Sequence, residues 1–201
     1  MAGIYFMKVT LAIDTSTART QFAVLNGNEL KWLEIEDGAT THGDVLAKFG
    51  ELAAREEIDQ VIVGMGPGPF TGLRTGVIFA KSFAFARGLP LHGICSLDAI
   101  AFGINLPEFI VATDARRKEI YWARYKEGVR VEGPNVSVPD VLTKFSNLPK
   151  FGEGALKYNL TTDIEHLYPD TTSFPKLADS TKVDEPLYLR HPDAVPTAER
   201  Q

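Results

Sequence analysis

Apolar and polar residues in the first 36 positions of the chain change places too quickly for a helix. Val9-Thr-Leu-Ala-Ile13, Gln21-Phe-Ala-Val-Leu25 and Leu30-Lys-Trp-Leu-Glu-Ile35 predict three successive strands. Asn26-Gly27-Asn28 joins the second to the third with residues that accept positive φ, so the chain opens as an antiparallel meander. The period then changes. Val45, Leu46, Phe49, Leu52 and Ala53 share one face at 3.6 residues per turn and predict an amphipathic helix. A buried-type strand, Val61-Ile-Val-Gly-Met65, leads through a Gly/Pro loop into a second helix reaching Arg87, with Gly88 as its stop and Pro90 beyond. Residues 91–95 predict another strand.

The order β-β-β-α-β-α-β, antiparallel first and then joined by parallel crossovers, points to an α/β fold of the actin/hexokinase-like (ASKHA) class, built on a ribonuclease H-like half-domain. Between Gly103 and Pro107 the pattern breaks. Phe109-Ile-Val-Ala-Thr113, Glu119-Ile-Tyr-Trp-Ala-Arg-Tyr125 and Val129-Arg-Val131 then begin a second unit, again with strands. Its later part is rich in Pro, Thr and Asp and shows only short helical stretches. The expected organisation is an N-terminal half-domain over residues 1–103 and a shortened second copy over 104–201.

Bulk properties narrow the function classes. A chain of 201 residues with 44% hydrophobic and 23% charged residues can bury a core without disulfides or metals. A net charge of −5 argues against a broad nucleic-acid footprint on this chain itself. The single cysteine, Cys95, excludes an intramolecular disulfide and a multi-cysteine zinc site. No run reaches the roughly 18 apolar residues of a membrane span, and Met1 to Met7 lacks a basic leader ahead of an apolar stretch, so a cytoplasmic protein with no membrane contact is expected.

The most specific local feature is Gly64-Met-Gly-Pro-Gly-Pro-Phe-Thr-Gly-Leu-Arg-Thr-Gly76. Its glycines allow sharp turns and close approach, and the amides that open the following helix favour anions. No Gly-Lys-Ser/Thr follows at P-loop spacing, and no dinucleotide fingerprint is present. A tight packing connection and a phosphate contact both fit the pattern. Asp14-Thr15-Ser16-Thr17 closes the first strand where nucleotide-binding members of the fold hold metal and phosphate, yet its turn has no glycine. An Asp before hydroxyl residues is equally an ordinary turn-former. His42, His92, His166 and His191 include no pair at helical metal spacing, and no Gly-x-Ser-x-Gly elbow is present. Cys95 reads as a buried structural thiol.

The second helix is more telling than any polar group. On a wheel, Leu73, Val77, Ala80 and Ala84 take one face, Phe79 and Phe83 a second, and Ile78 and Phe85 a third, leaving Arg74 and Lys81 as a narrow polar stripe. A helix apolar nearly all round needs cover on more than one side. Ala47, Gly50 and Ala54 on the first helix form a small-residue stripe suited to close approach of another helix. These faces predict a helix-to-helix protein interface.

Leu11-Ala-Ile-Asp-Thr-Ser-Thr17, the His42 helix, the 64–76 loop, the run Asp114-Ala-Arg-Arg-Lys-Glu-Ile-Tyr-Trp-Ala-Arg-Tyr125 and Pro186-Leu-Tyr-Leu-Arg190 together resemble the TsaB family, also called YeaZ, over most of the chain. The glycine loop is the most diagnostic part. The resemblance implies a cytoplasmic bacterial subunit that is not an enzyme by itself. It implies pairing with the catalytic paralogue TsaD and work alongside the ATPase TsaE. The complex transfers threonylcarbamoyl to the adenosine beside the anticodon of tRNAs that read codons beginning with A, and this subunit meets tRNA only through the complex.

By the same resemblance the contact with TsaD falls on the first half-domain's helices, at His42, Leu46, Ala47, Gly50, Ala54, Ile78, Phe79, Ser82 and Phe83. Whether the chain alone stays a monomer or self-pairs through the same helices is open in the sequence, with self-pairing the working hypothesis. No cofactor is implied for the chain alone. ATP or ADP at the boundary of the complex, near Asp14, Thr15, Ser16, Gly68, Thr71 and Arg74, stays open. The metal histidines of TsaD have no counterpart, since Ser96 and Ile100 stand near their places, and Gly152-Glu-Gly154 is a remnant of the adenosine loop of active members. An active ATPase or small-molecule kinase using Asp14 is the alternative, and a metalloprotease the least favoured one.

Overall fold

The computed structural model describes residues 7–38, 42–178, 180 and 182–190. His191, the Met1 to Phe6 stretch and the chain after Arg190 lie outside the described residues.

The predicted meander is present as β1 (Val9–Asp14), β2 (Thr20–Asn26) and β3 (Glu29–Glu36). It turns at Gly27, which sits at φ 59°. After α1 (His42–Ala53) the chain adds β4 (Gln60–Gly64), then α2 (Phe70–Arg87) and β5 (Leu91–Ile94). The five-stranded sheet has the order β3-β2-β1-β4-β5, with β4 and β5 parallel to β1 and the other pairs antiparallel. β1 and β4 are central because they are apolar on both faces. β3 is an edge, with Trp32 turned to the core while Leu33 and Ile35 face outward.

One face of this sheet packs Leu11, Ile13, Phe22 and Val63 against Leu46 and Phe49 of α1 and Leu73 and Val77 of α2. Each such buried side chain contributes about 1.5–3 kcal/mol. The α2 stop is read correctly from sequence: Gly88 is left-handed at φ 65° and its N–H reaches the last-turn carbonyls. The opposite face packs Ala12, Ile62 and Ile94 against Ala99 of α3 (Ser96–Ala101) and against Phe174 and Leu177, which lie near the end of the described chain. α3 goes unpredicted, because six residues are too few to show a helical period.

The second sheet has the order β8-β7-β6-β9, from β6 (Glu108–Asp114), β7 (Ile120–Lys126), β8 (Val129–Ser137) and β9 (Lys150–Phe151). It repeats the first design, an antiparallel meander followed by one parallel strand on its first member. The copy is abbreviated: β9 has two residues and α4 (Glu153–Lys157) has five. Gly152 and Gly154 let α4 sit on β6, where a Cβ at either position would run into the backbone of Ala112 or Thr113.

The last described segment ties the two sheets together. Val183 N–H donates to the Gly93 carbonyl and Leu187 N–H to the Met65 carbonyl, both at 2.8 Å. Tyr188 lies against Phe70 with ring centroids 5.0 Å apart, and Arg190 donates to the Ala115 carbonyl at 3.0 Å.

Candidate functional site

β1 ends at Asp14, whose side chain is fully buried. Ser16 donates to its Oδ1 from both N–H (2.8 Å) and Oγ (2.7 Å), and Ser96 Oγ donates to its Oδ2 at 2.7 Å. Burial pushes the carboxyl's pKa up, and the bonds from Ser96 and Ser16 offset part of that rise. Both oxygens are therefore engaged by neutral donors inside the chain.

The glycine loop closes over this turn. A Cβ at Gly64 would collide with Asp14 Oδ2, and one at Gly76 with the Thr15 hydroxyl. Gly68 lies on the Ser16 backbone, and Thr15 Oγ1 donates to the Gly72 carbonyl at 2.9 Å. Of the two readings open in the sequence, this geometry carries the packing one. Asp14, Thr15, Ser16 and Gly68 come together as a buried set, while Thr71 and Arg74 stay exposed on the outer side of α2.

His42 stands beside the same turn. Its Nδ1 is 2.7 Å from Thr20 Oγ1, and its Nε2 lies 2.8 Å from where a Gly72 Cβ would be. Burial first, and then the positive charge of Arg116, push its pKa down. Arg116 belongs to the second sheet, at the tip of the β6–β7 hairpin. There Arg116, Arg117 and Lys118 adopt φ of 62°, 51° and 61°. Each left-handed non-glycine residue costs about 1–2 kcal/mol. Behind the tip, Asp114 takes Lys157 Nζ at 2.7 Å and the Arg116 N–H at 3.2 Å, and Glu153 Oε1 accepts the Asp114 N–H at 2.8 Å. Sequence reasoning gave this hairpin no site residue. Its readable signal is a run of Arg-Arg-Lys between two strand patterns where a turn would favour Gly or Asn.

The predicted interface residues divide. Leu46 is in the core at 2% exposure and offers nothing to a partner. Phe79 is half-buried, with its ring 5.5 Å from Phe22 and its Cζ 2.7 Å from where a Gly50 Cβ would be. The close approach that Gly50 permits is thus used by the chain's own α2. Phe83 stacks on Phe79 at 6.0 Å with the Arg87 guanidinium over it at 5.3 Å. Ala47, Ala54 and Ser82 are exposed, as are Ile78 at 49% and Phe85 at 89%. Phe85, which shares the Ile78 face of the wheel and is not among the predicted interface residues, is the most open aromatic ring among the described residues.

Other candidates resolve into structure. Cys95 is buried with its thiol pushed up to about 12, chiefly by burial. Ser96 is spent on Asp14, and Ile100 lies in the core. Asp98, unforeseen, accepts from Tyr125 OH at 2.8 Å and pairs with Arg130 at 3.2 Å, tying α3 to the second sheet. Among the described residues no group of three His, Cys, Asp or Glu side chains is placed to hold a metal ion.

Comparison with known proteins follows the same outline. The family model for TsaD, tRNA N6-adenosine threonylcarbamoyltransferase, matches residues 46–181. An uncharacterised protein of Mycobacterium leprae is 38% identical over 94% of this chain and 57% of its own length. The tRNA threonylcarbamoyladenosine biosynthesis protein TsaB of Haemophilus influenzae is 34% identical over 60% of this chain and 55% of its own length. The chain thus spans little more than half the length of these two relatives. In fold, the crystal structure of a Pseudomonas aeruginosa protein with similarity to the peptidase YeaZ matches at a TM-score of 0.73 and 23% identity, covering 92% of this chain and all of that one.

Proposed function

The chain belongs to the TsaB (YeaZ) family of actin-like α/β proteins, and on that footing we propose that it is a non-catalytic platform subunit of a tRNA threonylcarbamoyladenosine-forming complex. In this reading it pairs with a TsaD-type subunit, works in the cytoplasm alongside a TsaE-type ATPase, and leaves transfer of the threonylcarbamoyl group to the partner. No helix among the described residues is long and apolar enough to cross a membrane, which accords with this setting.

The observation that carries the proposal is the outer face of α2. Ile78 and Phe85 stand two turns apart on one stripe, with Ser82 between them and a large fraction of both apolar side chains in water. Covering them contributes about 1.5–3 kcal/mol each, enough for a few such residues to decide an association. Exposed apolar patches of this kind mark interaction sites. The closed Asp14 turn supports the non-catalytic half of the reading, because the carboxylate that nucleotide-binding relatives of the fold give to a metal has its oxygens engaged by Ser16 and Ser96.

Size-exclusion chromatography with light scattering, on the chain mixed with the TsaD protein of its own organism, tests this directly. The wild type is expected to form a heterodimer. Ile78→Glu and Phe85→Glu should keep their circular dichroism and lose pairing by roughly a hundredfold or more. Pairing that survives both charges would remove the α2 face from the interface.

A further inference from the structure

At the end of the second sheet away from the β6–β7 hairpin tip, a cavity of about 560 Å³ opens between α3, the β7–β8 turn and the last described segment. Its size suits a metabolite-sized ligand, for which pockets run from about 300 to 1,000 Å³. Asp98 and Tyr125 line it and are buried, while Phe102 and Val129 line it and are exposed, at 40% and 64%. Arg130, Lys176 and Lys182 line it as well, three cations against one carboxylate. That carboxylate is already satisfied. Asp98 Oδ1 accepts from the Tyr125 hydroxyl at 2.8 Å and lies 3.2 Å from Arg130 Nε.

The cations keep most of their donors. A guanidinium carries several N–H groups in a fixed fork, and the Arg130 side chain, only 25% exposed, spends Nε alone on an ion pair among the described residues. A half-buried fork of this kind suits an oxyanion that takes two of its hydrogens at once. Lys176 lies over the Phe102 ring at 5.7 Å. Lys182 pairs with Asp184 at 3.0 Å where both side chains are mostly in water, a pair weak enough to yield to a better acceptor. The frame is set without a ligand. Lys182 bridges Ile94 on β5, and the Val183 N–H beside it donates to the Gly93 carbonyl at 2.8 Å, so this part of the segment is fixed to the first sheet. Arg130 is fixed to α3 through Asp98. We propose that the cavity binds a metabolite-sized organic anion, its phosphate or carboxylate taken by Arg130, Lys176 and Lys182 and its flat apolar part laid against Phe102. The site is separate from the α2 face and from the Asp14 turn, and it requires no tRNA.

Heteronuclear NMR on the full chain tests this with three probes of similar size: phenyl phosphate, benzoate and neutral benzyl alcohol. The two anions are expected to bind saturably and to shift the amides of Phe102, Gly128 and Ser180, which line the cavity. Tighter binding of phenyl phosphate would assign the natural group as a phosphate, and tighter binding of benzoate as a carboxylate. Lys176→Gln/Lys182→Gln changes two exposed side chains, so it should keep the wild-type unfolding temperature and weaken both anions about tenfold or more. Arg130→Lys keeps a charge beside Asp98 and loses the fork, and should weaken them as well while leaving benzyl alcohol unaffected. Four results would each overturn the proposal: no saturable shift with either anion, benzyl alcohol binding as tightly as they do, an unchanged affinity in the folded lysine pair, or shifts that gather elsewhere, as on the 64–76 loop.

Discussion

The two sheets end their first strands alike and finish differently. β1 and β6 each begin an antiparallel meander and each terminate in an aspartate, Asp14 and Asp114. Around Asp14 the donors are neutral hydroxyls and a backbone N–H, and the 64–76 loop seals the turn from above. Around Asp114 the donors include the cations Lys157 and Arg116, and the turn beyond it projects as an exposed basic tip. The same topological position thus makes a sealed structural knot in one half and an open charged surface in the other. The neighbours decide: the 64–76 connection and the 18-residue α2 close over the first turn, whereas the glycines at 152 and 154 bring only the five-residue α4 onto the second, with Lys157 supplying a cation to Asp114.

The hardest blow to the sealed turn is Gly64→Ala. The added Cβ would collide with Asp14 Oδ2 and lie 2.7 Å from Ser96 Oγ, and Gly64 is itself part of the central strand β4. A loss of about 3 kcal/mol is expected in denaturant unfolding. A loss below about 1 kcal/mol would mean that Asp14 can swing aside, and the turn would not be sealed in the sense used above.

Removing the two carboxylates compares the halves directly. Asp14→Ala strands the Ser16 N–H and the Ser96 hydroxyl without their buried acceptor and should cost about 2–3 kcal/mol, with little dependence on salt. Asp114→Ala releases Lys157 and Arg116, whose side chains are 48% and 60% exposed, so the cost should be about 1 kcal/mol and shrink as salt is added. Equal, salt-independent losses would erase the distinction between a neutral and an ionic turn.

This division also shows where sequence reasoning stops. The meander, α1, α2 and the Gly88 stop are legible because each spans enough residues to display a period or ends on a residue with one conformational role. β9, α3 and α4 are not, because two to six residues display no period. The wheel placed Phe79 on a face that needs cover, yet it cannot say whose surface supplies the cover, and the answer is Phe22 and Gly50 of the same chain. The glycine loop stayed ambiguous for a related reason. Its meaning lies in contacts with Thr15 and Ser16, about fifty residues earlier in the chain. The left-handed tip could be suspected only from what its sequence lacks, since φ at Arg or Lys is fixed by closure of the hairpin and not by residue type.

The smallest expected effect tests the bridge between the halves. The pKa of His42 is lowered by burial first and by the charge of Arg116 second. A histidine whose folded pKa lies below its usual value of 6.5 binds its proton more readily in the unfolded chain. Its contribution to stability is therefore fully present above about pH 6.5 and is lost as pH falls through the folded pKa. Arg116→Ala removes the like charge and leaves the burial, so the His42 titration, followed by NMR, should move upward while stopping short of the usual value. Lys118→Ala serves as the control, because that side chain is not among the charges acting on His42. If Arg116→Ala leaves the titration in place, the basic tip does not act on the α1 start. The sealed turn and the open one would then be electrostatically independent of each other.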